Sequence, residues 1–173
     1  NIVHQLRSGG DRDFRDVYEE VPWLELVERP GQTPEERLAR WRSLPTTQRR
    51  GFKTHAAPPL LPYLAPGPGV PDVKYVVVIR NPEDAMVSLR PFIEQHTQAF
   101  FDLWQVPRAA FVRESFAAFY DEVAEPMGFA DALFGFLAAW WPLRHAPNVR
   151  LVHFSTLKRD LEGSLRELAA FLG

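Results

Sequence analysis

Residues 74–88 read Lys74-Tyr75-Val76-Val77-Val78-Ile79-Arg80-Asn81-Pro82-Glu83-Asp84-Ala85-Met86-Val87-Ser88. The run between Lys74 and Arg80 is rich in β-branched residues and shows no polar alternation. That pattern predicts a strand buried on both faces, as in a parallel sheet. Asn81-Pro82-Glu83-Asp84 follows at once and has the chemistry of a helix start. Asn81 is an N-cap, Pro82 suits the first helical position, and two acids fall in the first turn. Pro91 is predicted to end or kink that helix about two turns later, because proline lacks the N–H and crowds the preceding turn.

A second apolar run, Val149-Arg150-Leu151-Val152-His153-Phe154, predicts another buried strand. Leu161, Leu165, Leu168 and Leu172 then line one face of a last helix, with Gly173 as its stop. A helix over residues 130–142, apolar nearly all round and carrying Trp140 and Trp141, is expected to be buried. Upstream, Thr33-Pro34-Glu35-Glu36 is a capping box opening a helix to about Ser43. Ile2, Val3 and Leu6 share one helical face, and Gly9-Gly10 is a plausible stop. Residues 11–33 otherwise read as loop around an apolar insert, Val21-Pro22-Trp23-Leu24-Glu25. Residues 50–54 read as a short strand ending at Lys53-Thr54-His55, Pro58–Pro62 as a short turn or one-turn helix, and Pro66-Gly67-Pro68-Gly69 as loop. Strand–helix alternation gives an α/β fold with a mostly parallel central sheet flanked by helices, and 173 residues are one domain's worth.

Composition narrows the function classes. The net charge of −2 offers no global basic field for nucleic acid or an anionic membrane, so an anion site must be local. The chain has no cysteine, hence no disulfide or thiolate metal site, which fits a reducing cytoplasm. No apolar run approaches the ~20 residues of a membrane span. Aromatic residues make up 13% of the chain, enough for a large core or an apolar ligand pocket.

In open α/β sheets ligands bind beyond the carboxyl ends of the strands. Arg80 ends one predicted strand beside a helix N-terminus, where free backbone N–H groups and a guanidinium together favour phosphate. Lys53 and His55 end another and point to the same side of an extended chain. A lysine that steadies charge beside a histidine that takes a proton is a candidate pair for moving an anionic group onto a hydroxyl. On these grounds alone the ordinary structural readings come first: Lys53-Thr54-His55 as a solvated strand end, Arg80 as a surface ion-pair residue and Ser88 as an inert helix residue. His4, His96, His145 and His153 show no ligand pattern, and no metal site is expected.

Taken in order, Lys53-Thr54-His55, Leu60-Leu61-Pro62 and the 74–88 block resemble the cytosolic sulfotransferase family, with its K-[ST]-H motif, leucine–proline pair and V-x-R-N-P-x-D-x-x-V-S block. Gly9-Gly10-Asp11, the Val21–Glu25 insert, Trp140-Trp141 and Leu157–Gly173 resemble further segments, so the likeness spans nearly the whole chain. It implies a P-loop-kinase-like sulfotransferase fold. It also implies 3′-phosphoadenylyl sulfate (PAPS) as donor, 3′-phosphoadenosine 5′-phosphate (PAP) as product, and a small hydroxyl or amine acceptor. By position, His55 matches the catalytic base and Lys53 the lysine at the transferring sulfuryl group. Arg80 and Ser88 match the pair on the donor's 3′-phosphate, and Trp23 and Phe92 match aromatics beside the acceptor. The resemblance also implies an upstream strand with a lysine-bearing phosphate loop and a downstream Arg-Lys-Gly loop. Neither is in this sequence, so a single partial domain over residues 1–173 is expected. Phe154-Ser155-Thr156 replaces the family's Tyr-Glu-Asp, and Pro91 departs from its helical aromatic stretch. Two alternatives stay open: a non-catalytic module on a degraded sulfotransferase fold, and a small-molecule kinase. The acceptor and the oligomeric state are not specified by these residues.

Overall fold

A computed structural model describes residues 2–10, 13–46 and 49–173. Asp11, part of the early resembling segment, lies outside the described residues. In chain order the elements are α1 (Ile2–Arg7), α2 (Val17–Glu20), α3 (Pro34–Ser43), β1 (Tyr75–Ile79), α4 (Pro82–Glu94) and α5 (Gln98–Trp104). They continue as α6 (Phe116–Phe119), α7 (Phe129–Trp140), β2 (Val149–His153), α8 (Phe154–Arg159) and α9 (Leu161–Leu172). The chain divides into two compact units, one of residues 1–55 and 97–106, the other of residues 56–96 and 107–173.

The first unit holds α1, α2, α3 and α5. The expected capping box is present at α3: Glu36 N donates to Thr33 Oγ1 at 3.2 Å, and Thr33 N donates to Glu36 Oε2 at 2.9 Å. The Thr33 amide holds the Glu36 carboxyl below its ordinary pKa, and Arg29 adds to the effect. A helical turn, α2, forms where loop was expected, because Asp16 Oδ1 accepts from the Tyr18 amide at 2.8 Å and caps it. His4 is buried, with its ring edge-on to Phe14 at 4.9 Å and Nδ1 at 3.0 Å from Arg7.

The second unit contains the sheet. β1 and β2 pair in parallel with Tyr75 opposite Val149 and Ile79 opposite His153, so the α/β class and the parallel pairing hold. Val77, Val149 and Trp140 form one core beneath them, while Met86, Phe119, Val123 and Ala124 form another under α4. β1 is not buried on both faces: Val78 is 52% exposed, since among the described residues the sheet has two strands and its second face is only partly covered. Similarly, α7 is not buried all round. Trp140 is 2% exposed, but the chain tightens into a 3₁₀ turn at Trp141–Leu143 and turns Trp141 outward, leaving it 50% exposed.

Pro91 does not end α4, which runs on to Glu94. The last turn is held from outside the helix backbone: Arg90 Nε pairs with Glu94 at 2.8 Å, and Arg108 donates to the His96 carbonyl at 2.6 Å. They tie down the residues that follow Pro91, whose missing N–H breaks one rung of the helix ladder. The second strand stops one residue short of Phe154, because His153 Nδ1 accepts from the Ser155 amide at 3.3 Å and caps α8.

One polar residue ties the loop before β1 to the start of β2. Asn148 is 3% exposed, yet every polar group of its side chain is used. Oδ1 accepts from Tyr63 Oη at 2.8 Å, and Nδ2 donates to the Leu64 and Val73 carbonyls at 2.9 and 3.1 Å. Its own carbonyl accepts from Tyr75 N at 2.8 Å and starts the parallel ladder. Asn148→Ala removes three hydrogen bonds made by a buried side chain and leaves a cavity in its place, so urea denaturation should show a loss of about 2–4 kcal/mol with an unchanged slope. A loss below about 0.5 kcal/mol would mean that water replaces the side chain without cost.

Candidate functional site

In the first unit the Lys53 segment is extended but does not form a full strand. It makes a single parallel bridge to Trp23, with Lys53 N donating to the Pro22 carbonyl and Leu24 N to the Lys53 carbonyl, each at 2.8 Å. Pro22, with no N–H, and the short length of both segments limit the ladder to this bridge. The extended backbone sets Lys53 and His55 on one side, and both meet the Trp23 indole there. Lys53 Nζ lies 3.8 Å from the ring centroid, over its face, and 5.5 Å from the Tyr18 ring. The His55 imidazole meets the same indole edge-on at 5.0 Å. Trp104 packs behind at 6.2 Å. Trp23 Nε1 is buried and has no hydrogen-bond partner among the described residues.

The ammonium is thus held by the ring quadrupole, and among the described residues no carboxylate lies within ion-pair distance of it. Burial lowers the Lys53 pKa below the ordinary lysine value, with Glu25 pulling the other way. His55 is exposed at its outer edge, yet packing against Trp23 desolvates the ring. That burial is the larger cause lowering its pKa below the ordinary 6.5; the Lys53 charge lowers it further and Glu25 raises it. A histidine shifted this way is neutral at physiological pH, the state needed to accept a proton.

Within the second unit, Arg80 follows β1 directly. Its guanidinium carbon stands 4.8 Å from the Phe154 ring centroid, and among the described residues it has no acidic partner. The side chain is exposed, planar and electrically uncompensated, the state in which it can pair with a phosphate. The expected free amides at the start of α4 are not available. Asn81 Oδ1 accepts from Glu83 N at 2.8 Å and Asp84 N at 3.2 Å, and Pro82 has no N–H. An anion at this joint would meet the Arg80 side chain and not free amides of the helix terminus. Ser88 sits half-buried on α4, and its hydroxyl makes no hydrogen bond among the described residues. Phe92 is 56% exposed, with its ring against His96 at 4.6 Å.

The structure brings Lys53 and His55 together on the Trp23 indole. In the second unit Arg80 follows β1, and Ser88 and Phe92 lie one turn apart on α4. Two contributors were not legible beforehand. Glu25 bonds to Thr54 and His55 across some thirty residues, a spacing with no local signature. Phe154, legible only as a packing residue, is a platform for Arg80.

The family model described as "Sulfotransferase domain" matches residues 2–173. A comparison with curated proteins finds no match. Among solved structures, mouse sulfotransferase SULT7A1 complexed with PAP superimposes with a TM-score of 0.60 at 21% identity, covering 91% of this chain and 51% of that one. Retinol dehydratase in complex with androsterone and inactive cofactor PAP gives 0.56 at 25% identity, covering 82% of this chain and 36% of that one. The chain thus spans about half the length, or less, of these solved relatives.

Proposed function

This chain belongs to the sulfotransferase domain family, and from that premise we propose that it transfers a sulfuryl group from PAPS to a hydroxyl or amine of a small acceptor, both compact units belonging to one domain. The observation that carries the reading is the convergence of Lys53 and His55 on the Trp23 indole. Both solved relatives hold PAP, the product form of that donor. When bound, the donor supplies an activated sulfuryl group; the chain's own residues do the rest.

A neutral imidazole nitrogen of His55 takes the proton of the acceptor hydroxyl. The Lys53 ammonium, fixed over the indole, offers positive charge where negative charge develops at the transferring group, a preorganised arrangement that needs little rearrangement during reaction. Trp23 excludes water from one side of the base and supplies an apolar wall for the acceptor. The Arg80 guanidinium, stacked and uncompensated, fits a terminal phosphate, and the Ser88 hydroxyl offers that phosphate a second hydrogen bond. Phe92, exposed and apolar, is proposed as a further acceptor contact.

Calorimetric titration of PAP into the protein tests the donor assignment without a guess at the acceptor. PAP is expected to bind at least tenfold more tightly than ATP, because a phosphate at the 3′ position is the feature Arg80 and Ser88 are proposed to hold. Equal affinity for the two nucleotides would overturn the assignment and favour the kinase alternative.

A further inference from the structure

We infer that Glu25 is the positioning residue for the histidine base: one of its carboxylate oxygens gathers the Thr54 hydroxyl and the His55 amide, and so fixes the imidazole against Trp23. The inference rests on the reading of His55 as base, but it concerns a residue to which that reading gives no role.

The geometry is specific. Glu25 Oε1 accepts from Thr54 Oγ1 and, at 3.0 Å, from His55 N. Two donors on adjacent residues thus converge on one charged oxygen, and hydrogen bonds to a carboxylate are stronger than neutral ones. In an extended segment Thr54 points opposite to Lys53 and His55. Glu25 therefore grips the back of the segment whose front carries the chemistry. Two residues earlier, the Trp23 bridge grips the same segment through its backbone, with both bonds at 2.8 Å. The four residues Pro22–Glu25 thus act as one strap. Its first half supplies the indole on which the base packs, and its last residue sets the backbone from which the base projects.

The carboxylate also acts through space. Its negative charge opposes the two influences that hold the His55 pKa down, burial against Trp23 and the positive charge of Lys53. Tyr18, packed near Lys53, is neutral at physiological pH, since its own pKa is raised by burial and by Asp16. The charged groups facing the imidazole are therefore Lys53 and Glu25, of opposite sign. Glu25 keeps the base from becoming so weak that it no longer removes a proton effectively.

The test is nuclear magnetic resonance on ¹⁵N-labelled protein, following His55 amide exchange and the imidazole titration, with His55→Ala assigning the signals. Glu25→Gln retains an acceptor oxygen but loses the charge. It should keep the amide protected while the imidazole midpoint moves to lower pH. Glu25→Ala loses both, and amide exchange should accelerate roughly tenfold to hundredfold. In sulfuryl transfer the alanine variant should lower kcat rather than raise KM, with partial rescue by glutamine, because a displaced base costs turnover more than binding. Unchanged exchange in the alanine variant, or an unmoved midpoint in the glutamine variant, would overturn the inference. If the alanine variant does not fold, the glutamine midpoint decides alone. Failure of the base assignment itself is seen separately, as a His55→Ala protein that still turns over.

Discussion

His55→Ala is expected to lower the rate of sulfuryl transfer by about 10²–10⁴-fold while leaving PAP affinity within about twofold of wild type. The size is that of losing a positioned general base, the role proposed for His55. The selectivity follows from the site: Lys53 keeps its place over Trp23 through the ring and the Trp23 backbone bridge, neither of which uses the imidazole. Turnover is measured with PAPS against a panel of phenols, steroids, alcohols and amines, and PAP binding by calorimetry. Retained turnover, or lost PAP affinity with the bound complex still active, would sink the assignment. The pH dependence gives a second reading of the same group. Only the neutral imidazole accepts a proton, and burial followed by the Lys53 charge lowers its pKa. The acid limb of kcat/KM should therefore lie below the ordinary histidine value of 6.5 and leave the rate flat through neutrality. A limb above that value would contradict the desolvated setting at Trp23.

Arg80→Ala should weaken PAP binding by about 10–100-fold. The expectation is large because the α4 terminus cannot substitute for the side chain: its first amides are taken by Asn81 or absent at Pro82. Arg80→Lys should fall between wild type and alanine, since it keeps the charge but loses the planar fork and most of the stack on Phe154. ATP binding, with no 3′-phosphate, should change little in either variant. Unchanged PAP affinity in the alanine variant would place the 3′-phosphate elsewhere.

Much of this molecule was legible in short stretches of sequence. The Thr33–Glu36 capping box, the Asn81-Pro82 helix start, the β1 and β2 runs and the α9 leucine face all formed within a few residues of where they were read. Each depends on contacts between near neighbours, which composition and spacing record directly. The family resemblance likewise followed from ordered motifs, and the match over residues 2–173 agrees with it.

What failed were statements about surroundings. The valine run predicted burial on both faces of β1, but exposure of Val78 depends on what covers the sheet, not on the strand's own residues. Pro91 predicted an end or a kink in α4, but the helix runs on to Glu94, whose end is tied by Arg108 from fourteen residues further along the chain. The anion site at the β1–α4 joint was expected to use free amides, and the N-cap that identified the helix is the group that consumes them.

The sequence by itself determined the main strands and capped helices of the second unit, the α/β class and the family, because these rest on local chemistry and motif order. Only the tertiary structure decided that Lys53 and His55 share the Trp23 indole, that Glu25 grips the segment between them from behind, and that Arg80 lies on Phe154. Those contacts join residues far apart in the chain. Chain closure brings them together, and the desolvation and charge that shift the His55 pKa exist only once it has done so.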